Sequence, residues 1–304
     1  MTTAGALPQR VLILGLGFAG RALALHLQAL GVAVAGTVRD PAAAPDDGIA
    51  RHRLHPDHAP DPALLAAVAR ADAVLCSVPP DADGDPALRL LGPALQASPA
   101  LRWVGYLSST GVYGDRGGGW VDEHAEADAG DAVALRRLRA EAQWRALAAA
   151  RGIASATLRL PGLYGRGRNA LVRLAQGNAR HIVRPGLVFN RLHVDDLAEA
   201  VVAAMRRPLR DALYLPADDE PAPPQDVLAH AARLGGFAMP PAQAWDDASL
   251  EPMLRRFHAS NKRIDSRGTR QALQWQPRFR SYREGLADAW EAGDGRPGPA
   301  GPTP

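Results

Sequence analysis

VLILGLGFAG, residues 11–20, is the stretch that decides how this 304-residue chain is to be read. Val11 to Leu14 are apolar without polar alternation, the pattern of a strand covered on both faces. The strand runs directly into G-x-G-x-x-G. In such a turn Gly15 permits the tight reversal, Gly17 lets the backbone approach a pyrophosphate, and Gly20 allows the next helix to pack close to the strand. That helix offers free N–H groups and the positive end of its dipole to an anion. Six residues of this kind are weak evidence alone. Between an apolar strand and a helix they specify a dinucleotide-binding turn, which Phe18 and Ala19 complete.

Further short apolar runs follow: VAVAGTV (32–38), AVLCSV (73–78), WVGYLSS (103–109) and SATLRLPG (155–162). Helical patterns separate them at about 20–30, 62–71, 87–97 and 131–150. Alternation of this sort predicts an α/β fold, a doubly wound parallel sheet of the Rossmann kind. The histidine-rich RHRLHPDHAP (51–60) reads as a loop because of its prolines. After residue 160 the pattern loosens. NRLHVDDLAEAVVAAM (190–205) predicts a helix capped by Asp196 with Glu199 three residues on, and QDVLAHAARLG a helix ending at Gly235. The expected division is a nucleotide-binding domain over 8–170, whose later elements interleave with a small substrate-binding subdomain over 171–290. The Gly/Pro-rich end, 291–304, reads as a disordered tail.

Composition narrows the function. An apolar content of 47 % with 22 % charged residues is that of a soluble globule, and no run approaches the roughly 18 apolar residues of a membrane span. MTTAGALPQR lacks the basic and apolar regions of a secretory signal, and the single Cys76 reads as a buried strand thiol, so the expected compartment is the cytoplasm. The 35 basic and 32 acidic residues are interleaved, which argues against a nucleic-acid partner. All basic residues but Lys262 are arginines, so an arginine in place of a lysine says little about changed function. The histidine spacing at 51–60 fits no closed tetrahedral set, and no metal is expected.

The second strand ends GTVRDP. Thr37 and Arg39 stand where a dinucleotide's ribose is read, and a guanidinium there suits a 2′-phosphate. Asp40 in that place would favour NAD instead. NADP is the expected cofactor, with NAD as the alternative.

SSTGVYG (108–114), LRLPGLYGRG (158–167), NRLHVDDLAEAV (190–201) and NKRIDSRGTRQALQWQPRFRSYREGL (261–286), in this order after the glycine loop, resemble the extended short-chain dehydrogenases of the NAD-dependent epimerase/dehydratase family. The resemblance implies a Rossmann domain with a small C-terminal part, and a catalytic trio of Ser or Thr, Tyr, and Lys four residues after the Tyr. Ser109 matches the first, with Thr110 next best. The family's Tyr-x-x-x-Lys-x-x-x-Glu, aligned on Glu141, puts Arg137 at the lysine and Val133 at the tyrosine. Ser77, Pro79, Pro161 and Arg137 are assigned to the cofactor, and Ser109, Arg137 and Tyr113 to catalysis. Tyr113 and Tyr164 are the candidates to replace the missing tyrosine. Arg137 and Glu141 share a helix face and are expected to pair. His193 reads as structural or substrate-lining, and Arg166 and Arg168 as contacts to an anionic substrate or the cofactor phosphates. The absent tyrosine resembles an atypical bacterial subgroup, the YeeZ-like proteins. Two functions follow as expectations. The first is an NAD(P)-dependent oxidoreductase or epimerase-like enzyme on a small polar, nucleotide-sugar-like substrate, forming a homodimer by analogy with the family. The second is a non-catalytic dinucleotide-binding protein that senses redox state or scaffolds a partner.

Overall fold

The computed structural model describes residues 5–43 and 45–296. The first half of the chain runs β1 (Arg10–Leu14), α1 (Phe18–Ala29), β2 (Ala33–Val38), β3 (Ala50–Arg53), α2 (Pro62–Arg70), β4 (Ala73–Cys76), α3 (Pro86–Ala97), β5 (Trp103–Ser109), β6 (Trp120–Val121), α4 (Ala132–Arg151) and β7 (Ala154–Leu160). The second half adds β8 (Gly162–Tyr164), α5 (Ala170–Ala175), β9 (His181–Val183), β10 (Arg191–His193), α6 (Val194–Arg206), β11 (Ala212–Tyr214), α7 (Pro224–Gly235), β12 (Ala242–Ala244), α8 (Pro252–Ala259), β13 (Arg263–Ile264), α9 (Arg267–Leu273) and α10 (Tyr282–Glu291).

Seven strands form one parallel sheet in the order β11-β7-β5-β4-β1-β2-β3. Successive side chains of β1 serve opposite faces. Val11 and Ile13 pack with Leu23 and Leu27 of α1 and Val201 of α6, while Leu12 and Leu14 pack with Leu64 of α2, Leu91 of α3 and Trp144 of α4. Helices on both sides explain why VLIL shows no polar alternation. Tyr164, Leu171, Leu228, Tyr282 and Leu286 build a separate core for the C-terminal helices, which form their own subdomain. No helix among the described residues is long and apolar enough to cross a membrane.

The chain leaves β1 toward β2 and β3, then returns to place β4 on the other side of β1. Ligands of open α/β sheets bind at such a reversal, beyond the carboxyl ends of the strands. The glycine loop stands there.

Three readings of the sequence need correction. The start of the histidine-rich segment is a strand, β3, which pairs with β2 at the sheet edge from Ala50 to Arg53. The short apolar β11, missed in the sequence, extends the other edge beside β7. The helix over 190–205 begins at Val194, and its cap is His193, whose Nδ1 accepts from the Asp195 N–H at 3.2 Å. Asp196 is buried inside that helix, where its carboxyl takes the N–H groups of Arg278 at 2.7 Å and Phe279 at 3.1 Å. It ties the C-terminal segment to α6 across 82 residues of chain. Of the expected tail, residues 291–296 are described, and Asp294 accepts from Gly167 N and Asn169 Nδ2 at 2.7 and 2.6 Å. Residues 297–304 lie outside the described residues.

Burial pushes the Asp196 carboxyl up to about 6 from an ordinary 3.8, against the two N–H bonds, which favour the charged form. A raised carboxylate favours the fold while protonated. Between about pH 4 and pH 6 the native state holds a proton that the unfolded chain has released, so this contribution is lost as pH rises. Relative to Asp196→Asn, the protein is expected to lose on the order of 2 kcal/mol across that window, read by urea unfolding at several pH values. A relative gain with rising pH would contradict the assignment.

Candidate functional site

Thr37 shapes the glycine loop from below. Its buried hydroxyl accepts the Gly15 N–H at 2.9 Å, and its carbonyl accepts from Leu16 N at 2.8 Å. Thr37 therefore supports the turn and does not face a ligand. Ser77, at the end of β4, donates its hydroxyl to the Gly15 carbonyl at 2.6 Å. Gly15 has φ +95°, a conformation that other residues rarely adopt. A Cβ on Gly20 would lie 2.2 Å from the Gly15 carbonyl oxygen, so the helix and the turn touch through the missing side chain. On Gly17 a Cβ would meet nothing within 4 Å. That open face adjoins the start of α1, whose N-cap is Gly17 and has no side-chain cap. α2, α3 and α4 are capped instead by Asp61, Asp85 and Asp131. The open glycine and the first N–H groups of α1 fit the pyrophosphate of a dinucleotide.

Two arginines flank this opening. Arg39 is exposed, just past β2, with no hydrogen bond or ion pair among the described residues. Its neighbour Asp40 turns its Oδ1 to the Ala42 N–H at 3.1 Å and so caps its own turn. Arg168 lies over the Phe18 ring at 5.1 Å, and no acidic partner for it occurs among the described residues. Arg166, by contrast, is clamped by both oxygens of Asp288 at 2.9 Å. Of the remaining expected cofactor residues, Ala19 is half-buried in the first turn of α1, Pro79 follows β4, and Pro161 lies between β7 and β8.

Ser109 ends β5, half-buried, and its Oγ accepts from Gly111 N at 3.1 Å, which leaves its own proton to give. Arg137 reaches under β5. Its Nη1 donates to the Tyr106 hydroxyl at 3.2 Å and to the Leu107 carbonyl at 3.1 Å. The expected pair of Arg137 with Glu141 does not form. Glu141 is buried and is taken by Arg159, through Nε at 3.1 Å and Nη2 at 2.8 Å, and by the Ser108 hydroxyl at 2.5 Å. Arg159 also stacks on the Tyr113 ring, 4.8 Å from its centroid. This charged cluster under the site escaped the sequence reading, although an arginine inside the apolar strand SATLRLPG was its one visible signal.

All five tyrosines of the chain are buried. Tyr113 gives its hydroxyl to the Asp122 carbonyl at 3.2 Å, and Tyr164 to the Ser281 carbonyl at 3.2 Å. Burial pushes both phenols upward. Neither is placed to exchange a proton with a ligand. Val133, one turn before Arg137 on α4, is partly exposed and has no proton to exchange. His193 is fully buried as the α6 cap, and burial lowers its pKa, which favours the neutral ring and a structural role. No three His, Cys, Asp or Glu side chains among the described residues come together as a metal-ligating group.

The model of the NAD-dependent epimerase/dehydratase family matches residues 11–213, from β1 through β11. The chain belongs to that family. Among solved structures, a conserved protein of unknown function from Silicibacter pomeroyi DSS is 38 % identical, with a TM-score of 0.84 over 94 % of this chain and 99 % of that one. A putative NAD-dependent epimerase/dehydratase from Methylobacillus flagellatus is 27 % identical, with a TM-score of 0.71 over 94 % and 99 %. The UDP-glucose 4-epimerase of Thermus thermophilus, solved with NAD, shares the fold at 19 % identity and a TM-score of 0.70, over 93 % and 99 %. No curated protein matches the chain.

Within the epimerase/dehydratase fold, the structure brings Ser109 and Arg137 to β5 and gathers Gly15, Gly17, Gly20, Phe18 and Ser77 at the end of β1. Tyr113 and Thr37 are close by in sequence but turned inward.

Proposed function

We propose that the protein binds NADP(H) through the glycine loop and acts as an oxidoreductase or epimerase-like enzyme on a small polar substrate, of the nucleotide-sugar kind that the Thermus relative's name denotes. The open Gly17 face at the uncapped start of α1 carries the binding part of this reading. Arg39, unpaired while Asp40 is engaged in its own turn, suits the 2′-phosphate, and Arg168 over Phe18 suits the pyrophosphate. When bound, the dinucleotide supplies hydride transfer. Ser109 would orient the reacting oxygen with its free O–H. Arg137 holds the β5 backbone at Leu107 and keeps a positive charge beside the strand that ends in Ser109. The proton would come from solvent, since no tyrosine is exposed.

Calorimetric titration with NADPH and NADH tests this. Arg39→Ala is expected to weaken NADPH about tenfold to a hundredfold and leave NADH nearly unchanged, the worth of one charge-assisted contact. Arg168→Ala should weaken both nucleotides alike, because the pyrophosphate is common to them. Equal losses with Arg39→Ala would remove the NADP assignment. Binding of neither nucleotide to the unaltered protein would remove the reading as a whole.

A second reading is favoured by a specific observation. All five tyrosines are buried while Val133, which alignment through Glu141 sets against the family tyrosine, is partly exposed; this supports a YeeZ-like relative that binds a dinucleotide without catalysis. Screening nucleotide sugars for substrate-dependent NADPH oxidation separates the two, and sustained turnover abolished by Ser109→Ala would sink the second.

A further inference from the structure

The turn that carries Arg168 is fastened from the far end of the chain. Gly165 and Arg168 exchange backbone hydrogen bonds, Gly165 N to the Arg168 carbonyl at 3.1 Å and Arg168 N to the Gly165 carbonyl at 3.0 Å, which closes a reversal over Arg166 and Gly167. Gly167 has φ +74°, the left-handed backbone that glycine supplies at the third position of such a turn. Two anchors then come from 122 to 127 residues further along. Asp288 of α10 clamps Arg166 with both oxygens at 2.9 Å. One oxygen of Asp294, just past α10, accepts from Gly167 N at 2.7 Å and from Asn169 Nδ2 at 2.6 Å. Asn169 also donates to the Gly165 carbonyl at 2.9 Å and caps α5 by accepting from Val172 N at 3.2 Å. The backbone of the turn is pinned on both sides.

The Arg168 side chain is what this anchoring leaves to project. Its guanidinium lies over the ring of Phe18, the first residue of α1, at 5.1 Å. Arg173, on α5, is close enough to repel it, and neither arginine has a carboxylate partner among the described residues. Mutual repulsion favours dispersing the two charges, which a fixed turn opposes. A long side chain that must be ordered when a ligand arrives also takes part of the binding free energy with it, and fixing its backbone beforehand reduces that loss. The charge of Asp294 works the other way. Its carboxylate is bonded to Gly167, next to Arg168, so by charge alone it would oppose a phosphate there. Removing Asp294 would tighten anion binding if charge decided and loosen it if the turn decided.

We propose that Asp294 is a positioning residue for the dinucleotide: by fixing the turn from Gly165 to Asn169 it holds Arg168 over Phe18, beside the glycine loop, and the segment after α10 straps the cofactor site. Asp294 touches no nucleotide and acts through Arg168. The proposal rests on the reading of Arg168 as a contact to the pyrophosphate.

Calorimetric titration of NADPH and NADH into the full-length protein and its variants tests the strap. Asp294→Ala is expected to weaken both nucleotides alike by about threefold to tenfold. Its melting temperature should change little, because Asp294 is partly exposed and Asn169 keeps its bonds to Gly165 and Val172. Asp294→Asn offers an oxygen in the same place without the charge and should restore most of the affinity. In the double variant Arg168→Ala with Asp294→Ala, the loss should equal that of Arg168→Ala alone, since the strap acts only through that arginine. Unchanged or tighter binding in Asp294→Ala, losses that add in the double variant, no rescue by Asp294→Asn, or loss of the folding transition in Asp294→Ala would overturn the proposal. If Arg168→Ala itself costs no affinity, the pyrophosphate reading falls and the strap with it. A loss in Arg168→Ala without one in Asp294→Ala overturns the strap alone.

Discussion

Glu141→Ala is expected to remove about 3–5 kcal/mol of folding stability, the usual cost of stripping one partner from a buried ion pair. Glu141 is 2 % exposed and accepts three hydrogen bonds, two from Arg159 and one from Ser108. Without it the Arg159 guanidinium stays buried on the Tyr113 ring with no carboxylate, and the Ser108 hydroxyl loses its acceptor. Neither can reach water without opening the contact between α4 and the sheet. The pair need not be a net stabiliser for this to hold, because two charges taken out of water recover little more than their solvation. Replacing both ends by apolar groups, Glu141→Leu with Arg159→Met, should therefore cost much less than Glu141→Ala alone. Urea unfolding of the two single variants and the double variant gives the coupling directly. A loss below about 1 kcal/mol for Glu141→Ala would place the pair in solvent-like surroundings and contradict its burial.

The second large effect concerns nucleotide affinity. Gly20→Ala is expected to weaken NADPH about a hundredfold or more, which is roughly 2.7 kcal/mol. The added Cβ would stand 2.2 Å from the Gly15 carbonyl oxygen and 3.2 Å from Ile13 Cγ2. The first is backbone held by Ser77 and cannot swing aside as a side chain can, so α1 must shift away from β1 and carry its N–H groups with it. Some loss of stability, about 1–3 kcal/mol, should accompany the shift. Gly17→Ala is the informative companion. Its Cβ meets nothing within 4 Å and its φ of −75° suits any residue, so the fold should keep its melting temperature. The methyl group would nevertheless occupy the face offered to the pyrophosphate, and NADPH affinity should fall. An unaltered affinity in Gly17→Ala would place the dinucleotide elsewhere.

The chain belongs to a family of enzymes, and its side chains depart from a ready acid–base site. The fold places Ser109, Arg137 and the glycine turn at one end of the sheet. Val133 has no proton to give, the hydroxyls of Tyr113 and Tyr164 donate to backbone carbonyls, that of Tyr106 accepts from Arg137, and Tyr214 and Tyr282 are buried in apolar cores.

Much of the fold was legible from the residues alone, because the signals are local. An apolar run too short for a helix, a glycine pattern that only one turn geometry satisfies and amphipathic stretches between them fix β1, α1, β2, β4, β5 and β7 within a few residues. His193 was likewise readable as structural from its place before a helix. What failed were elements and roles set by distant partners. β3 reads ARHR, with little apolar signal, and β11 is an apolar run of only three residues; both are edge strands that exist because β2 and β7 offer them free backbone groups. Thr37 points inward because Gly15, 22 residues away, needs its hydroxyl. Arg137 and Glu141 share a helix face, yet packing against β5 and β7 gives each a different partner. Local backbone geometry is encoded over a few residues and can be read there. Burial and charge pairing join groups tens of residues apart, and only the packed structure decides which of them meet.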